Sequence, residues 1–228
     1  MRGLGIDCST NALSVAVWND ETAETFFSIC PSKHAEQLLP AIERLFSKQD
    51  FSLQSLDCIA VGVGPGSFIG NRTALSVVKA LAFALNKPVT ALSSLQIIAQ
   101  TAYQKHGCDN VAVAWDARLG AAYFGIYKLL DGIMQPQVND AVAPAETDLL
   151  ASLDMTDYFA AGNAWEVCPE LKKSRASYIG CDVDCFPEPT AIVQLARAMF
   201  ASGKFCSGAD VAANYLRNNV AHSARVNK

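Results

Sequence analysis

Histidine is scarce in this chain. Its 228 residues hold three, His34, His106 and His222, and none has a second histidine one helical turn away, so the paired-histidine helix of zinc peptidases is missing. Charge is also thin. Lysine and arginine number 18 against 22 aspartates and glutamates, giving a net charge of −4 and a pI near 5.3 with no basic block. Such a chain is not expected to hold a nucleic acid unaided. No uninterrupted apolar run reaches membrane-spanning length, and the short apolar start meets Asp7, which argues against a signal-peptide core. The expected location is the cytoplasm.

Apolar residues, by contrast, make up 51 % of the chain, enough to fill the core of one large domain or of two small lobes. The eight cysteines are spread along it and read as reduced thiols. Cys181-Asp182-Val183-Asp184-Cys185 has neither the redox spacing nor a matching second pair, so buried thiols or a loop are the favoured account.

Residues 3–7 form a short apolar run, Leu13, Val15 and Val17 alternate with smaller or polar neighbours, and a third extended run covers Thr22 to Cys30. That pattern predicts an antiparallel meander. Leu38, Leu39, Ile42, Leu45 and Phe46 share one helical stripe. A buried strand at 58–63, an apolar helix at 74–85, a strand at 89–92 and a helix at 95–103 follow. The order repeats from Val111, with strands at 111–116, 121–129 and 132–139, a helix near Glu146 to Leu153, a strand at 158–161 and a helix at 190–200. Ala221 to Lys228 reads as a polar tail. A meander followed by parallel crossovers, met twice, predicts an α/β fold of two ribonuclease H-like lobes, 1–104 and 105–228, the second reduced.

The most distinctive segment is Gly62-Val63-Gly64-Pro65-Gly66-Ser67-Phe68-Ile69-Gly70-Asn71-Arg72. It lacks the Gly-Lys-Ser/Thr ending of a P-loop and the glycine spacing of a dinucleotide site. Gly64, Gly66, Ser67 and Gly70 are therefore read as a structural loop, although a helix N-terminus there could still attract an anion. Asp7, with Ser9 and Thr10, stands where an actin-like ATPase carries its first phosphate loop, but Cys8-Ser9-Thr10-Asn11 has no glycine for close phosphate approach. A vestigial loop with Asp7 as a turn-capping acid is preferred. Ser9 and Ser67 lack the context of a serine hydrolase.

The string Gly64-Pro65-Gly66-Ser67-Phe68 with Gly70 and Arg72, the opening Ile6-Asp7-Cys8-Ser9-Thr10 with Ser14-Val15-Ala16, His34-Ala35-Glu36-Gln37-Leu38-Leu39-Pro40, and Asp116-Ala117-Arg118 with Tyr123 together resemble the TsaB (YeaZ) family. The match is dense over residues 4–127 and faint beyond, where Tyr215-Leu216-Arg217 resembles a C-terminal signature. Ile69, Asn71 and Ala121 depart from the family pattern. The resemblance implies an actin-like fold without its own catalysis, in a scaffold subunit of the machinery that makes threonylcarbamoyladenosine beside the anticodon of tRNA. It implies a transferase partner, TsaD, an ATPase, TsaE, a homodimer in isolation, and contact with tRNA only through the complex. It places the interface on the two helices carrying His34, Leu38, Ile42 and Phe46, and Leu75, Val78, Lys79, Ala80 and Phe83. No intrinsic cofactor or metal is implied. ATP or ADP would lie at the shared interface, with Arg118 as the candidate phosphate contact and a surface ion pair as its alternative role. The rival reading is an ATP-dependent phosphotransferase or peptidase using Asp7 and Asp116.

Overall fold

A computed structural model describes residues 1–20, 22–144, 156–174 and 178–217. The helix expected near Glu146 to Leu153 and the tail from Ala221 to Lys228 lie outside the described residues.

The first sheet is built from β1 (Gly3–Asp7), β2 (Ala12–Trp18), β3 (Ala23–Ile29), β4 (Cys58–Gly62) and β5 (Val89–Leu92) in the order β3-β2-β1-β4-β5. β1, β2 and β3 pair antiparallel, whereas β4 lies parallel to β1 and β5 parallel to β4. Both faces are covered: β1, β2 and β4 are buried at every position, including β2, whose sequence alternates as a strand with one solvent face would. On one face lie α1 (His34–Phe46) and α2 (Phe68–Leu85), their inward residues Leu38, Ile42, Leu45, Ala74, Leu75 and Val78 closing one core.

The second sheet repeats the design. β6 (Asn110–Arg118) and β7 (Ala121–Leu130) form an antiparallel hairpin; β8 (Ile133–Pro136) and β9 (Ala141–Pro144) share β7; β10 (Phe159–Ala161) and β11 (Gly180–Asp182) continue in parallel beyond β6. The chain is thus a two-lobed actin-like, ribonuclease H-like fold, with β10 and β11 cut to three residues each. Two short helices, α4 (Ala164–Val167) and α5 (Pro169–Ser174), which the apolar pattern does not signal, precede β11.

The lobes exchange helices. α3 (Ser94–His106) follows the first sheet in sequence, yet Leu95, Ile98, Ala99 and Ala102 pack with Val111, Val113 and Tyr127 of the second. α6 (Pro189–Ala201) follows the second sheet, yet Ala191, Ile192, Leu195 and Ala196 pack under Ala16, Trp18, Ala60 and Leu92 of the first.

α2 begins six residues earlier than its apolar periodicity suggests. Ser67 caps it, its hydroxyl accepting from the Gly70 N–H at 3.1 Å, which satisfies one of the free donors of the first turn. By length and composition α2 could cross a membrane. Arg72 and Lys79 interrupt it, however, and Ala74, Leu75, Val78 and Ala82 are buried against the sheet.

Candidate functional site

Between the lobes lies an open cleft of about 350 Å³, lined by Ser9 to Asn11, Gly66 to Phe68, Trp115 to Leu119, Tyr123, Asn163 and Arg217. Its floor is the turn after β1. Asp7 there is fully buried, and its carboxylate accepts from the Ser9 N–H at 2.8 Å, the Ser9 hydroxyl at 2.7 Å and the Ser94 hydroxyl at 2.7 Å. Burial raises the Asp7 carboxyl above its ordinary range, and the hydrogen bonds from Ser94 and Ser9 pull in the opposite direction. A Cβ on Gly62 would strike its Oδ2 at 1.8 Å, so the glycine makes room for the acid. Thr10 is also turned inward, its Oγ1 accepting from the Ala12 N–H at 3.1 Å.

The glycine-rich loop packs directly onto this turn. The Ser67 N–H donates to the Ser9 carbonyl at 2.6 Å, and a Cβ at Gly70 would lie 1.9 Å from the Cys8 carbonyl oxygen. The Gly64–Gly70 segment of the chain therefore packs on the turn expected to form a vestigial phosphate loop, and the Ser9 N–H and hydroxyl are both engaged by Asp7, while Ser9 and Thr10 still line the cleft. With the Ser9 donors engaged, the turn offers fewer of the free, close-approaching N–H groups that the phosphate loop of an actin-like ATPase needs.

The opposite wall is the tip of the β6–β7 hairpin. Arg118, Leu119 and Gly120 all have positive φ, at 65°, 53° and 71°, an unusual run for two residues with side chains. Asp116 stabilises it: Oδ1 accepts the Arg118 N–H at 2.7 Å, and Oδ2 lies 3.1 Å from the exposed Arg118 guanidinium. The Asp116 N–H is in turn fixed by Asn163 Oδ1 at 2.9 Å. Arg118 is thus at the cleft mouth and ion-paired within its own hairpin.

A second depression, a groove of about 430 Å³, runs between α1 and α2 and is lined by Ala35, Leu38, Leu39, Phe68, Ile69, Arg72, Thr73, Ser76 and Val77. The structure divides the expected interface residues. His34, Leu38, Ile42, Leu75 and Val78 are buried within the chain, and Phe46 packs against the same core. His34 Nε2 is 3.2 Å from the Ala12 carbonyl, tying α1 to β2. Lys79, Ala80 and Phe83 face outward, with Lys79 donating to the Ala209 carbonyl at 3.3 Å. Sequence reasoning missed Leu39 at 58 %, Ile69 at 77 % and Phe68 at 50 % exposure, beside Phe83 at 89 %. In sequence Phe68 and Ile69 belong to the glycine-rich segment, and only their nearness to the apolar run hints at a helix face. Ile69, Ala80 and Phe83 form an outward stripe at helical spacing, with Val77 beside it partly buried against the core.

The other candidates are structural. His106 Nε2 meets Asp182 Oδ2 at 2.9 Å and stacks on Phe159, while His222 lies outside the described residues. Burial pushes the Cys58 thiol up to about 12 and Cys108 to about 11, so neither supplies a thiolate near neutral pH. No cluster of three metal-binding side chains occurs among the described residues.

A family model described as "TsaD: tRNA N6-adenosine threonylcarbamoyltransferase" matches residues 27–228. The Escherichia coli K12 tRNA threonylcarbamoyladenosine biosynthesis protein TsaB is 33 % identical over 97 % of this chain and 96 % of its own length. This chain belongs to the TsaB (YeaZ) family. The Haemophilus influenzae TsaB is 27 % identical over 95 % of the chain and 94 % of its own length. Among solved structures, YeaZ from Pseudomonas aeruginosa superposes with a TM-score of 0.86 at 35 % identity, covering 94 % of this chain and 99 % of that one. Another Pseudomonas aeruginosa structure, described as an uncharacterized protein with similarity to peptidase YeaZ, gives 0.85 at 34 %, covering 95 % of this chain and 99 % of that one. In this TsaB-family chain the glycine-rich loop packs closely against Cys8 and Ser9.

Proposed function

We propose that this chain is a non-catalytic subunit in the synthesis of threonylcarbamoyladenosine beside the anticodon of tRNA. It would dock a TsaD-type transferase on the α1–α2 face, with a TsaE-type ATPase completing the assembly and tRNA reached only through it. The names of the relatives support the pathway. One observation carries the mechanism: the outward stripe of Ile69, Ala80 and Phe83 on α2 leaves two large apolar side chains, Ile69 and Phe83, in water, which suits a helix meant to be covered by other helices. The engagement of the Ser9 N–H and hydroxyl by Asp7 supports a role without phosphate chemistry of its own. In isolation a second copy would cover the same face. Arg118 at the cleft mouth would meet ATP or ADP held jointly with a partner, exchanging its Asp116 pairing for a phosphate. These roles belong to the cytoplasm.

The test is co-purification with the organism's TsaD-type protein. Ala80 is exposed, so Ala80→Arg should leave the monomer folded and abolish the complex; full retention would remove α2 from the interface. The rival enzyme reading draws on the description of one neighbour as peptidase-like and on the open cleft beside Asp116. Tight binding and slow hydrolysis of ATP with Mg²⁺ by the isolated chain would favour it.

A further inference from the structure

The segment Tyr215-Leu216-Arg217 lies outside α1, α2 and the β6–β7 hairpin, yet it touches residues of both α2 and the hairpin. Its contacts span the two lobes. On the first lobe, the Asn214 N–H donates to the Val63 carbonyl at 2.8 Å, the Arg72 Nε donates to the Tyr215 hydroxyl at 3.2 Å, and the Tyr215 ring packs on Phe68 at 5.5 Å. On the second lobe, Arg217 Nη1 donates to the Ala117 carbonyl at 2.8 Å and to the Arg118 carbonyl at 3.2 Å. The left-handed run at 118–120 forms the tip next to which these carbonyls lie. Asn214 and Leu216 line a separate cavity beside Ser93 and Asp140, whereas Arg217 lines the main cleft, so the segment passes between two cavities.

From this geometry we infer that Tyr215-Leu216-Arg217 is an inter-lobe clasp that sets the width of the cleft and holds the hairpin bearing Arg118. One end is anchored to the β4–α2 loop and the first turn of α2. The other grips backbone carbonyls rather than side chains, so it depends on hairpin conformation and not on sequence there. A guanidinium has the donors for such a double contact. Opening the cleft must break the Arg217 contacts, the only side-chain hydrogen bonds recorded from this segment to the second lobe among the described residues. The clasp does not depend on which partner or ligand the protein meets.

Tryptophan fluorescence gives a direct reading. Trp18 and Trp165 are inaccessible, whereas Trp115, itself only 6 % exposed, lines the cleft, so a rise in acrylamide quenching of the full chain reports opening of the cleft. Arg217→Ala should raise the quenching constant at least about twofold and speed amide exchange at residues 117–122 by at least about tenfold, as expected for loss of a local closing contact. Exchange in β1 and the far-UV circular dichroism should stay as in the wild type. Unchanged quenching and hairpin exchange would overturn the clasp, as would acceleration shared equally by β1. Should Arg217→Ala fail to fold, Arg217→Gln, which is shorter and uncharged, is read by the same two outcomes.

Discussion

Asp140 shows at the scale of one residue how burial and hydrogen bonding oppose each other. Its Oδ2 accepts from the Ser93 hydroxyl and its Oδ1 from the Tyr127 hydroxyl, both at 2.5 Å, and Ser93 is also the cap of α3. Burial raises the carboxyl above its ordinary 3.8, outweighing the two hydrogen bonds that lower it. The unfolded chain therefore loses this proton at lower pH than the folded one. Between the two values the folded state binds more protons, so the stability contributed by Asp140 is full in acid and is lost as pH rises through the folded value. Asp140→Asn removes this dependence. Urea unfolding from about pH 4 to about pH 7 should show the free-energy difference, variant minus wild type, rising with pH and then levelling. A flat difference would mean that the carboxyl ionises alike in both states. Asp7 follows the same logic with three donors, and its burial is the part of the site that sequence could not reveal. The sequence offered an acid at a strand end next to Ser9; whether it faced the cleft or the core depended on Gly62 and Ser94, which are distant in the chain.

At the scale of an element, α2 explains both what was legible and what was not. The meander, the crossovers and their repetition could be read because apolar periods of two and of 3.6 survive in a single sequence. The start of α2 could not, because Gly64-Pro65-Gly66 and Gly70 look like one loop, and only tertiary contact shows that Gly70 is helical. Likewise, periodicity marked Leu38 and Ile42 on one stripe, and the family resemblance pointed to Leu75 and Val78, without saying whether the chain's own sheet or a partner covers them. The sheet covers these four, leaving the outward positions to Leu39, Ile69 and Phe83. Gly70 gives a test of which force governs it. Helix propensity alone would make Gly70→Ala stabilising by about 1 kcal/mol. The added methyl, however, would lie 1.9 Å from the Cys8 carbonyl oxygen, a backbone atom that cannot swing aside. Overpacking of this kind costs about 1–3 kcal/mol and must first cancel the propensity gain. Gly70→Ala should therefore lower the urea midpoint, and a raised midpoint would mean that the loop and the β1 turn yield easily.

For the whole molecule, the exchange of α3 and α6 decides what can fold alone. A cut between residues 104 and 105 separates the two sheets but not the two cores. The first sheet would lose Ala191, Ile192, Leu195 and Ala196, exposing the face formed by Ala16, Trp18, Ala60 and Leu92. The second would lose Leu95, Ile98 and Ala102 from beneath Val111 and Val113. Each uncovered core face forfeits roughly 1.5–3 kcal/mol per large apolar side chain returned to water, against a total stability of about 5–15 kcal/mol for a domain. Losing several such contacts at once consumes most of that margin. A fragment of residues 1–104 expressed alone should accordingly show no cooperative urea transition and should bind a hydrophobic dye, while the full chain unfolds in one transition. Mixing it with the 105–228 fragment should restore cooperativity by returning α6 to its sheet. A 1–104 fragment that unfolds cooperatively by itself would show that the first lobe closes without α6, and that α6 is an addition to a core already complete.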